Sequence, residues 1–223
     1  MVCDGMLLVE STPQPVHSAH ATGRFRPGAA IQESLDTSIS RRWPAAGDRA
    51  MESQMSLEAV RQILCIRDGD LPDINFDFGQ QPVAGDAYAI IQVRATHLAC
   101  KSACYWSRSK SKECVISFGE NPALAVLAGE ADPFHVLFGG LRSASGAPIP
   151  DLGVFVLDDD FIALDYRMGP HWDEPAILGL FEIMQDLKAL AKCAIISHAG
   201  NIFETDEEIL LSEFNTWSNA LGH

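Results

Sequence analysis

Two short apolar runs, LGVFVL at 152–157 and FIALDY at 161–166, face each other across Asp158, Asp159 and Asp160. Each run is too short for a stable helix and is rich in β-branched or aromatic residues, while aspartate is at home in a turn because its side chain accepts nearby backbone N–H groups. A chain with this stretch must build at least one antiparallel hairpin. Such a hairpin implies antiparallel pairing.

A helix must follow directly. From Glu174 to about Lys192 the apolar positions Ile177, Leu180, Phe181, Met184 and Leu187 keep helical spacing, and Pro175 is tolerated in the first turn behind an Asp173 cap. CAIIS (193–197) then reads as a buried strand, and a last helix is expected to open on the capping box Thr205 to Glu208, with Leu210, Phe214, Trp217 and Leu221 on one face. Upstream, SLEAVRQILCI (56–66) suits a short helix or a first strand. The turn at Asp68–Gly69, followed by alternating Ile74, Phe76 and Phe78, reads as a hairpin. DAYAIIQVRATHL (86–98) and ECVISFG (113–119) read as strands with a basic helix or loop between them. Asn121–Pro122 and Asp132–Pro133 each signal a short helix. Helices and strands are thus interspersed without strict alternation. The expected fold is α+β: one domain over 51–223 with a mainly antiparallel sheet and helices packed on one face.

Residues 1–50 are rich in Ser, Thr, Pro, Gly and Ala and read as a flexible or disordered N-terminal arm, with Met51 and Met55 just ahead of the first patterned segment. The first residues lack the basic start and apolar core of a secretory leader, and no run approaches a membrane span, so a cytoplasmic protein is expected. Six scattered cysteines then read as free thiols.

The net charge of −14 is unevenly placed. Residues 1–50 hold 5 basic and 5 acidic side chains, residues 51–223 hold 11 and 25, and residues 113–223 hold 4 and 18. Such a field repels nucleic acid and anionic membranes and speeds association with basic proteins. Acidity also serves plain solubility.

Chemistry-bearing patterns are sparse. His97, Cys100, Cys104 and Cys114 offer the soft ligands of a Cys₃His zinc site, but without paired Cys-x₂-Cys knuckles, so packed or free thiols are the default. There is no nucleophile elbow, phosphate-binding loop or dinucleotide-binding glycine motif, and Cys193 and His198 fall on opposite faces of one strand. No cofactor is expected. Turn formation accounts for Asp158, Asp159 and Asp160, and helix capping for Asp173 and Glu174. Asp165 has no such local reason: inside a strand it must be solvated, paired or used.

The stretch Leu164 to Pro170 (LDYRMGP) with Trp172, within Leu152–Leu187 and supported by Leu71–Ile74, resembles small bacterial immunity proteins encoded beside polymorphic or type VI secreted toxins. The likeness leaves residues 1–50 and the basic cysteine segment unmatched. It implies a binding protein that performs no reaction and instead occludes the active or substrate site of a cognate toxin. An acidic chain would fit a toxin with a basic surface, such as a nuclease. On this reading Asp158, Asp159, Asp160, Asp165, Arg167, Asp173 and Glu174 line one edge, with Tyr166 and Trp172 as aromatic anchors. Two other readings stay open: a metal-assisted hydrolase using the aspartates with His171, and an acidic regulatory module for a cellular partner.

Overall fold

The computed structural model describes residues 57–65, 71–199 and 204–221; the arm and the Asp68–Gly69 turn lie outside them. Five helices alternate irregularly with eight strands: α1 (Leu57–Cys65), β1 (Asp73–Asp77), α2 (Ala84–Gln92), β2 (His97–Leu98), β3 (Cys104–Ser107), β4 (Lys112–Val115), α3 (Ala123–Leu127), β5 (Phe134–Gly139), β6 (Leu152–Val156), β7 (Phe161–Tyr166), α4 (Glu174–Lys188), β8 (Ile195–Ala199) and α5 (Glu204–Ala220). Six strands form one sheet in the order β2-β5-β6-β7-β1-β8, every neighbouring pair antiparallel, while β3 and β4 form a separate hairpin. The α+β architecture expected from the alternating runs is the one observed.

Strand pleating sorts the sheet into two unlike faces. One carries Ile74, Phe76, Phe134, Val136, Phe138, Leu152, Val154, Val156, Ile162, Leu164 and Tyr166, all buried in a single core with residues from all five helices. Tyr88 of α2 sets the packing there, edge-on to Phe134 and Phe138 with ring centroids 5.9 and 5.2 Å away. Helix α4 is held as its sequence requires: the Asp173 side chain accepts the Ala176 N–H at 3.0 Å, and Pro175 sits in the first turn.

Several local readings are overturned. DAYAIIQ lies within helix α2, because the buried Ala84, Ala87, Tyr88 and Ile91 follow the i, i+3, i+4, i+7 period of a helix. FHVLFG is strand β5, not a helix. Its Phe134, Val136 and Phe138 alternate inward while His135 faces out, and tertiary pairing with β6 outweighs the Asp132–Pro133 start signal. Strand β1 pairs with β7 and β8, so it is no arm of a local hairpin. The basic cysteine segment is a β-hairpin, and Thr205 lies inside the first turn of α5 rather than capping it.

Candidate functional site: the uncovered face of the sheet

The second face of the sheet presents Asp73, Asn75 and Asp77 of β1, Phe161, Ala163 and Asp165 of β7, Gly153 and Phe155 of β6, and His135 and Leu137 of β5. No described helix contributes to it. The six strands of this sheet contain no lysine or arginine.

At its centre His135 Nε2 stands 2.6 Å from Asp165 Oδ1, with the histidine side chain 41% and the aspartate 15% exposed. The two belong to strands that are not neighbours, since β6 runs between β5 and β7. Two strand spacings are roughly 10 Å, and the side chains close that gap only because the residue between them is Gly153, paired with Asp165 across the β6–β7 ladder. A Cβ on Gly153 would overlap the Asp165 carboxylate. Phe155 stacks on the His135 ring at 5.3 Å between centroids and fixes its plane.

Asp73 lies directly opposite Asp165 on β1. Two like charges in register are unfavourable. Burial and then the Asp165 charge push the Asp73 carboxyl above the usual range, partly offset by His135. The imidazole of His135 is pushed above 6.5, chiefly by its hydrogen bond to Asp165, against partial burial and with help from the Asp165 and Asp73 charges. The shifts of Asp73 and His135 thus have a common origin in this three-residue cluster.

The residues singled out in the sequence separate into three groups. Asp165 is brought into this cluster, paired as its place in a strand demands. Asp158, Asp159 and Asp160 form the β6–β7 turn at the opposite end of β7, five residues or about 16 Å from Asp165, so the acids do not line one edge. Their carboxylate oxygens lie within 4.8 Å of one another, the one such group among the described residues that could hold a metal ion. Local structure nevertheless uses them: Asp158 Oδ1 accepts the Asp159 N–H and Asp160 Oδ2 the Gln80 N–H, each at 2.8 Å. Arg167, Asp173 and Glu174 are exposed beyond the far end of β7.

Tyr166 and Trp172 are not surface anchors. Both are core residues, 1% and 0% exposed, because Tyr166 points to the opposite face from Asp165 and Trp172 packs edge-on against it at 5.6 Å. The Tyr166 hydroxyl shares a 2.7 Å hydrogen bond with His198 Nε2, which places His198 deep beside α5, far from the role of a base for Cys193; the thiol there donates to Phe78 O at 3.3 Å. The zinc quartet is not assembled either. Register puts Cys104 opposite Val115 and Cys114 opposite Tyr105, so the two thiols point to opposite faces of their hairpin, while His97 lies on the other sheet and Cys100 packs against the core.

Asp73 and His135 were missed in the sequence. Asp73 was legible as the polar partner of Ile74 and Phe76 in the alternation; His135 was hidden by the helical reading of its strand.

Comparison with known proteins finds no matching family model, no matching curated protein and no matching solved structure. Among the described residues no helix is long and apolar enough to cross a membrane.

Proposed function

We propose that this chain is an immunity-type binding protein that neutralises a cognate secreted bacterial toxin by covering a basic active or substrate site. The observation that carries this reading is the sheet face with no covering helix among the described residues, which has carboxylates at its centre and neither lysine nor arginine in any of its strands. A face whose carboxylates outnumber its basic groups favours a partner of the opposite sign and accelerates its capture. The likeness around Leu164–Pro170 and Trp172 supplies the class of partner. The face supplies the sign of its charge.

Co-expression tests the proposal. A toxin encoded next to this chain's gene should arrest growth alone and lose that effect when the chain is co-produced, with the two proteins co-eluting in a salt-sensitive complex. Growth arrest that persists at saturating levels of folded chain overturns it.

A further inference from the structure

We propose that the opposed carboxylates of Asp73 and Asp165 are the seat for a cationic side chain, above all an arginine, of a basic protein docked on the sheet face that no described helix covers. This rests on the binding-protein reading and deepens it by assigning the contact and the chemistry of what fills it. The acidic turn at Asp158–Asp160, the more obvious cluster in the sequence, has its oxygens engaged by its own backbone.

Three observations converge on the carboxylate pair. Asp73 and Asp165 are held in register by the β1–β7 ladder, an arrangement that repels itself until a cation arrives. His135 bonds Asp165 Oδ1 and reaches Asp73 only through its field; among the described residues no hydrogen bond or ion pair reaches the Asp73 carboxylate. A guanidinium carries five donors in a plane and can engage two neighbouring carboxylates from one side, whereas the two N–H groups of an imidazolium point apart. Beside them, Phe155 is 40% exposed and already stacks on one cationic ring, so it offers a second planar cation an aromatic neighbour.

Charge complementarity selects the occupant. With no lysine or arginine in the sheet's strands, His135 is the one basic side chain that those strands place at the centre of the face. Leu157 and Ile195, 39% and 65% exposed, add apolar surface toward the far end of the strands. The fitting partner thus presents arginine among apolar side chains. A nucleic acid would be repelled.

The test uses isotopically labelled full chain titrated with a short arginine–leucine peptide, alongside lysine–leucine and glutamate–leucine counterparts, and reads the amides of 73 and 165 and the His135 imidazole by NMR. Saturable shifts are expected there for the arginine peptide, weakening with salt, with the His135 Nε2 signal moving as its partner is taken. Asp73→Asn and Asp165→Asn should each weaken binding about tenfold. A variant with Asn at 158, 159 and 160 should bind as the parent does. Asp73→Asn leaves the His135–Asp165 bond in place, so its result stands even if Asp165→Asn unfolds. Absence of saturable binding, equal binding by the Asn variants, or shifts centred on 158–160 would each overturn the assignment. Rescue from a toxin that is indifferent to both substitutions would remove this seat and leave neutralisation standing; peptide binding without rescue would do the reverse.

Discussion

His135 and Asp165 meet at 2.6 Å across an intervening strand. Cross-strand pairs normally join neighbours; this one bridges β5 and β7 over the bare backbone of Gly153. The arrangement ties three strands together on the face that the helices leave uncovered, and it makes a small residue at 153 a condition of the site.

Gly153→Ala should therefore destabilise the protein, although alanine ordinarily stabilises a strand relative to glycine. The added methyl overlaps the Asp165 carboxylate, so the carboxylate must swing away and the ion pair open. The expected cost is about 1–2 kcal/mol, read as a lower denaturation midpoint, and the His135 imidazole should titrate closer to its ordinary 6.5. A variant with unchanged stability and an unmoved His135 titration would show that Gly153 does not make room for the pair.

Trp172→Ala should act on stability and not on partner recognition. The indole is fully buried, packs against Tyr166, and donates its N–H to Arg167 O at 2.9 Å. Truncation of a buried tryptophan costs about 3–5 kcal/mol, so urea unfolding should shift strongly. A folded variant of near-parent stability that binds its partner poorly would restore Trp172 as a surface anchor.

The difference between what the sequence disclosed and what it hid is physical. The β6–β7 hairpin and helix α4 were legible because local signals agree there: apolar runs flank a turn, and an N-cap precedes a clean helical stripe. Helix α2 and strand β5 were misread because each is a short, nearly continuous apolar run that can serve either structure, and tertiary packing decided between them. For the same reason the site was half visible. Asp165 stood out as a charge inside a strand, but His135 lies 30 residues away on β5 and Asp73 farther still on β1, brought together by strand order alone. Tyr166 and Trp172 looked like surface aromatics only while the direction of β7's pleat was unknown.

Arg94, just past the end of α2, serves the fold. Its guanidinium is 14% exposed and pairs with Glu182, 13% exposed, and with Asp186, both on α4. Glu182 also accepts the Ala144 N–H at 2.6 Å, so one carboxylate joins the end of α2, the loop after β5 and α4. Arg94→Ala leaves that carboxylate nearly buried without its cation, at a cost of about 3 kcal/mol. Pairing it with Glu182→Gln should recover part of the loss, because the stranded charge is gone. Unfolding midpoints that simply add for the double variant would show that the two side chains are energetically independent.

Acid should loosen the structure through His198. Burial lowers its imidazole to about 4, against the opposing pull of Glu207 and Asp206, while Tyr166 holds Nε2 and no described group bonds Nδ1. In the unfolded chain the same ring takes a proton near 6.5. As pH falls through 6.5 the unfolded state therefore gains a proton that the folded state refuses. The stability contributed by neutral His198 is complete above that pH, declines toward about 4 and is then exhausted, a total on the order of 3 kcal/mol. His135 has the opposite sign: its raised value makes its contribution complete below 6.5 and lost as pH rises through the folded value, and partial exposure keeps it small. His198→Leu removes the buried titration. The drop in denaturation midpoint between neutral pH and about pH 4 should be shallower in that variant than in the parent; equal slopes would show that His198 does not set the acid limb.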